Sequence, residues 1–156
     1  MKVFCQNEAD TFALGMRLGK RLGAEDSVLL YGEMGMGKSV LTRGIARGMG
    51  IMEPIPSPTF TILNIHEGPA LRLYHFDFYR LSCAEEFYEA GLDEWIPAED
   101  GVCVIEWPGI IPEVLPADAL IIRLAELSGG REITLEENGR FSTEWLSAVA
   151  GKEKAL

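Results

Sequence analysis

Basic residues are scarce in this chain. Fourteen Lys and Arg stand against twenty-four Asp and Glu, and the formal net charge of −10 sets up a field that repels phosphate backbones. That disfavours sequence-independent nucleic-acid binding by the chain alone; a polyanion must be met through a local site or a partner. Cysteine is scarce as well. Cys5, Cys83 and Cys103 are odd in number, far apart and without C-x-x-C spacing, which argues against a disulfide framework or a zinc site. A reducing, cytoplasmic setting fits that usage. No run of about 18 apolar residues occurs, and MKVFCQNEADTF has no apolar stretch behind a basic tip, so neither a membrane span nor a secretion signal is expected. Repeats and low-complexity tracts are missing too, and 156 residues suffice for one core but not two. The expectation is a single domain over residues 1–156.

What is present is an alternation of strand and helix patterns. MKVFC predicts a short first strand. Asp10 or Thr11 then offers an N-cap for a helix over FALGMRLGKRL, where Phe12, Met16, Leu18 and Leu22 follow helical spacing. SVLLY, Ser27 to Tyr31, is apolar throughout, the pattern of a strand covered on both faces. KSVLTRGIARGMG predicts the next helix, with Val40, Leu41, Ile45 and Met49 apolar and Gly50 at its end. In IPSPTFTILNIHEG the prolines force an extended entry, and Phe60, Ile62 and Ile65 alternate toward a turn at EGPA. LRLYHFDFYR then completes a hairpin. CAEEFYEAGL predicts a short helix ending at Gly91, GVCVIEW another apolar strand, and ALIIRLAEL with REITLEE a hairpin around SGG. FSTEWLSAVA predicts a last helix capped by Ser142 or Thr143. Together these elements predict an α/β fold with a mixed sheet flanked by helices.

Between the second strand and its helix stands GEMGMGKS, which fits G-x-x-x-x-G-K-[ST] at Gly32, Gly37, Lys38 and Ser39. Glycines let the backbone wrap a phosphate and aim N–H groups inward, and the following helix adds its free N–H groups and positive dipole end. Lys38 supplies a cation for the β- and γ-phosphates, and the Ser39 hydroxyl is a candidate Mg²⁺ ligand. Glu33, Gly35, Met36 and Val40 complete the candidate nucleotide contacts of this loop. The bland alternative is a glycine-rich turn with an exposed lysine. Two acids stand at the ends of apolar strands, Asp77 in HFDFYR and Glu106 in VCVIEW, where a carboxylate is rigidly aimed. The bland alternatives are a strand-end surface residue for Glu106 and, for Asp77, a helix cap or an ion-pair partner of Arg80. SPTF, Ser57 to Phe60, occupies the position of a switch segment, although S-P-T is also an ordinary turn. His75 reads as a packed histidine, and Tyr74, Phe76, Phe78 and Tyr79 as core and rim.

GEMGMGKS, SPTF, HFDFYRL and IEWPG, in this order and spacing, resemble the bacterial TsaE family of small P-loop ATPases, from about Thr11 to LPADALIIRL. The resemblance implies a P-loop NTPase-like fold and an Mg²⁺-dependent ATPase, binding ATP and ADP, that works with TsaB and TsaD in the N6-threonylcarbamoyl modification of adenosine 37 in tRNA. In that family the ATP cycle drives turnover of the complex, and tRNA is met only through the partners. The resemblance further implies that Lys38 holds phosphate, Ser39 and Glu106 hold Mg²⁺, Asp77 serves hydrolysis, Thr59 is the switch threonine and Trp107 accompanies the glutamate. Thr11 and Arg131 match adenine-side contacts. Ser39 replaces a frequent threonine and keeps the ligand atom.

Two other enzyme classes fit less well. Guanine recognition usually needs N-K-x-D, yet none of Asn7, Asn64 or Asn138 precedes a lysine, and no D-x-x-G follows the loop. A small-metabolite kinase commonly carries an arginine-rich lid, whereas the arginines here are scattered. An ATP-gated assembly module, in which binding matters and hydrolysis does not, stays open.

Overall fold

The structure, a computed structural model, describes residues 1–151. Strand β1 (Lys2–Cys5) leads into helix α1 (Glu8–Arg21). The cap is Asn7, not Asp10 or Thr11: its extended backbone lets the side chain accept from the Asp10 amide three residues on. Asp10 instead lies in the first turn, where its carboxylate accepts from the Gln6 amide. Strand β2 (Ser27–Tyr31) and helix α2 (Lys38–Gly48) follow as expected. Next come β3 (Leu63–His66), β4 (Arg72–Asp77), α3 (Ala84–Glu89) and β5 (Gly101–Glu106). Strands β6 (Leu120–Leu127) and β7 (Gly130–Glu136) and helix α4 (Thr143–Ala150) complete the described chain. Ser142 caps α4 by accepting from the Trp145 amide.

The seven strands form one sheet in the order β1-β7-β6-β2-β5-β4-β3. Strand β2 lies between β5 and β6, parallel to both, and β4 runs parallel to β5. The flanking pairs β3/β4, β6/β7 and β1/β7 are antiparallel, so the sheet is mixed. Each central strand must feed both faces, which is why SVLLY and GVCVI are apolar without alternation. On one face Val28, Leu30, Leu73 and Val104 pack beneath Leu14, Leu18, Leu41 and Ile45 of α1 and α2. On the other, Leu29, Tyr74, Phe76 and Ile105 pack with Phe87 of α3, Leu92 and Ile111. None of the described helices is long and apolar enough to cross a membrane.

Helices α1 and α2 touch through glycine. A Cβ placed on Gly44 of α2 falls 2.3 Å from the Phe12 carbonyl oxygen of α1, and one on Gly19 of α1 falls 2.1 Å from the Ile45 carbonyl oxygen. Gly15 and Gly48 meet the opposite backbone in the same way.

The SPTF region departs from the expected long strand. Pro58 accepts backbone hydrogen bonds from Thr61 and Ile62, Ile62 takes a left-handed φ of 66°, and β3 begins only at Leu63. The alternation of Phe60, Ile62 and Ile65 is therefore not a strand face. Prolines at positions 54, 56 and 58 withhold ladder donors, and Phe60 ends 81% exposed.

Candidate nucleotide-binding site

At the end of β2 the chain turns sharply. Met36 N–H bonds to the Glu33 carbonyl, and Gly35 and Gly37 both take left-handed backbone angles, φ 80° and 100°. Gly37 caps α2 without a side chain, so the first amides of that helix stay available at the loop. Lys38 opens α2 and Ser39 follows. The Lys38 side chain is buried: Nζ donates to the Gly32 carbonyl at 2.6 Å and lies 4.0 Å from the centroid of the Trp107 ring. Burial pulls its ammonium below the ordinary lysine value, while Glu106, Asp77 and Glu33 oppose the shift. Trp107 itself has a left-handed φ of 55°, a conformation that costs a non-glycine residue about 1–3 kcal/mol, and its ring centroid lies 5.1 Å from that of Tyr79.

The carboxylates arrive from the neighbouring strands. Parallel pairing places Asp77 of β4 opposite Glu106 of β5, and Glu106 opposite Leu30 of β2, just before the loop. Both acids thus sit at the carboxyl ends of parallel strands, the crevice where α/β sheets bind ligands. Both are buried, which removes the surface reading of Glu106. Asp77 Oδ1 accepts from the Tyr79 amide at 2.9 Å and Oδ2 from the Thr59 hydroxyl at 3.3 Å. Thr59 is also 2.7 Å from Ser57 Oγ. Arg80 does not pair with Asp77; its guanidinium stacks over Phe60 at 4.5 Å.

His75 is buried, as its strand position predicts, but it does more than pack. Its Nε2 lies 2.7 Å from Glu106 Oε2. Sequence reasoning missed this pair. The only signal was His75-x-Asp77, two residues apart on one strand and so on one face.

Lys38, Ser39, Thr59, Asp77, Glu106 and Trp107 border one cavity of about 390 Å³. A second, of about 320 Å³, is lined by Thr11 and Arg131 and shares Gly35, Gly37 and Val40 with the first. Arg131 reaches it by donating to the Gly35 carbonyl at 3.2 Å. Gly32 and Glu33 instead border a smaller hollow beside Trp107, and Met36 packs against the core. The first cavity offers hard oxygen donors: the Ser39 hydroxyl and the Asp77 and Glu106 carboxylates. No group of three or more His, Cys, Asp or Glu among the described residues makes a metal cage. The donor set fits a hard cation such as Mg²⁺ that shares its ligands with phosphate oxygens.

A glycine-rich loop between a central parallel strand and its helix, with carboxylates on adjacent strand ends, defines a P-loop NTPase-like protein. The match to a known family is equally direct: the family model for threonylcarbamoyl adenosine biosynthesis protein TsaE covers residues 5–133, and the chain belongs to the TsaE family. It is 40% identical over 136 residues to the tRNA threonylcarbamoyladenosine biosynthesis protein TsaE of Treponema pallidum, spanning 86% of this chain and 99% of that one. The protein of the same name from Haemophilus influenzae is 31% identical over 159 residues, 96% of this chain and 99% of that one. Among solved structures, the crystal structure of Bacillus subtilis YdiB superposes with a TM-score of 0.78 at 33% identity, covering 94% of this chain and 90% of that one.

Proposed function

We propose that this chain is an Mg²⁺-dependent ATPase subunit of the machinery that installs threonylcarbamoyladenosine in tRNA, acting in the cytoplasm with TsaB and TsaD. The observation that carries the reading is convergence: Lys38 and Ser39 of the loop share one cavity with Asp77, Glu106 and Thr59. The loop amides and Lys38 bind the triphosphate, while the cavity beside Thr11 and Arg131 takes the nucleoside end of ATP or ADP. Ser39 and Glu106 hold Mg²⁺, which when bound neutralises charge on the phosphate oxygens. Asp77 orients the attacking water. With a net charge of −10, the chain leaves tRNA to its partners.

Turnover by the chain alone is slow in this reading. Each Asp77 oxygen accepts one hydrogen bond, from the Tyr79 amide and from Thr59, and keeps a lone pair for water, so a partner that repositions the Thr59 segment alters how Asp77 orients that water. That segment is exposed at Phe60, where another surface can take hold of it. The same contact favours a second reading, an ATP-gated assembly module in which the Thr59 segment reports nucleotide state and hydrolysis is incidental. Phosphate release at saturating ATP and Mg²⁺, titrated with the TsaB–TsaD pair, separates the two. Release that rises with the pair supports the ATPase. A complex that forms with ATP and dissociates with ADP, yet releases no phosphate, supports the module.

A further inference from the structure

We propose that His75 is a positioning residue that aims the Glu106 carboxylate into the nucleotide cavity. The inference rests on the ATPase reading above. In the parallel pair β4/β5, His75 is opposite Val104 and Asp77 opposite Glu106, so His75 stands one row deeper than the two acids on the same sheet face. From there Nε2 lies 2.7 Å from Glu106 Oε2. A carboxylate can only accept, so Nε2 carries the proton and donates it.

No other described residue hydrogen-bonds the Glu106 carboxylate, so a single donor fixes its rotation. Burial makes that donor matter. Glu106 is 5% exposed and His75 2% exposed, and water cannot substitute for the imidazole as it does at a surface. The histidine also has nothing else to do. Its Nδ1 is buried without a partner among the described residues, while its neighbours in the row, Val104 and Val28, are apolar. An imidazole kept for packing alone gains nothing over leucine and leaves that nitrogen unsatisfied. One oxygen of Glu106 is thus held toward the core and the other is left for the cavity that Lys38 and Ser39 line. Partners of this kind behind a metal-linked carboxylate typically contribute 10- to 100-fold in metal affinity or activity.

The test compares His75→Phe, which fills the space without a donor, with His75→Gln, whose side-chain amide can donate over a similar reach. Each is measured for ADP binding in EDTA, for the Mg²⁺ concentration that half-saturates ATP binding, and for thermal unfolding. The expected result is ADP affinity in EDTA within about twofold of the parent for both variants. For His75→Phe the half-saturating Mg²⁺ rises about tenfold or more, and His75→Gln recovers most of it. In a Glu106→Gln background, His75→Phe shifts the Mg²⁺ requirement no further, whereas a packing role adds its full effect there. Should His75→Phe fail to fold, the contrast between His75→Gln and His75→Asn, whose shorter amide falls short, carries the same comparison. An unchanged Mg²⁺ requirement in His75→Phe, or a shift that persists at full size in the Glu106→Gln background, overturns the proposal. A parent chain whose ATP binding ignores Mg²⁺ fails differently: it removes the metal-dependent reading itself, and this role with it.

Discussion

Replacing Gly44 by alanine sets two known effects against each other. In an open helix the change is favourable, because alanine exceeds glycine in helix propensity by about 0.8–1.0 kcal/mol. Here the new Cβ lies 2.3 Å from the Phe12 carbonyl oxygen, 2.9 Å from Gly15 Cα and 3.1 Å from the Phe12 carbonyl carbon. All three are backbone atoms, so no rotamer change gives relief. The helices must part until the first distance reaches the 3.4 Å at which ordinary contact begins. Overpacking of a close-packed core costs about 1–3 kcal/mol, and a clash that only whole-helix movement relieves belongs at the upper end. Subtracting the propensity gain leaves a net loss of about 2 kcal/mol, or about 4–8 °C in melting temperature for a chain of this size. Gly15→Ala meets the Leu41 carbonyl oxygen at 2.4 Å, and once the helices have parted for one methyl the second has less to do. The double variant therefore loses less than the two singles combined. Thr11 of α1 and Val40 of α2 line one cavity, so ADP affinity falls along with stability. Circular-dichroism melting and ADP titration read both effects. A Gly44→Ala chain that melts at or above the parent temperature refutes the close-contact argument outright.

Other perturbations address the site. Lys38→Met keeps most of the buried stem and removes the cation; ATP affinity, measured by calorimetry, should fall about 10- to 150-fold, the range for one charge-assisted hydrogen bond, and an unchanged affinity removes the phosphate-loop assignment. Glu106→Gln and Asp77→Asn should each lower phosphate release by the partner-assembled chain about 100-fold while changing ADP affinity little, because the loop amides remain; release at the parent rate gives both acids a structural role only. Thr59→Val deletes the hydroxyl that bonds Asp77, so chymotrypsin should cut at exposed Phe60 faster than in the parent, and equal rates mean that this contact does not hold the segment. Burial pushes the Cys103 thiol up to about 12, and Cys83 is exposed; one fast thiol should react with a disulfide reagent at pH 8, and Cys83→Ser should abolish it.

Much of this architecture was legible because its signals are local. SVLLY and GVCVI announce strands covered on both faces, and the loop glycines announce the turn between β2 and α2. Asp77 and Glu106 were legible as a pair because each closes an apolar strand. What stayed hidden depends on distance between segments. Nothing in the sequence puts His75 against Glu106, 31 positions away, until β4 and β5 are placed side by side. The glycines of α1 and α2 weaken each helix when read singly and acquire their meaning only where the two backbones touch. The cap at Asn7 was overlooked for a different reason: Asp10 and Thr11 are as capable as caps, and the choice turns on the backbone angle at position 7. At SPTF the spacing of Phe60, Ile62 and Ile65 predicts a strand too early, because the prolines and the left-handed turn at Ile62 delay β3 to Leu63.

The placement of β2 between β5 and β6 also has a consequence for synthesis on the ribosome. Ser27 pairs with Cys103, and Val28 with Leu120, so the strand that carries the phosphate loop leaves the exit tunnel long before either neighbour exists. At about 5–20 residues per second, the chain spends roughly 4–15 seconds with SVLLY translated and its first sheet partner not yet made. Parallel pairing over such separations is slow to form, because loop closure precedes any reward in contacts. Through that interval α1 and α2, whose mutual contact is local, are the cover at hand for the nascent strand. Slowing translation between codons 31 and 101 should raise the fraction of aggregated product, and a chain carrying Gly44→Ala should respond more steeply than the parent.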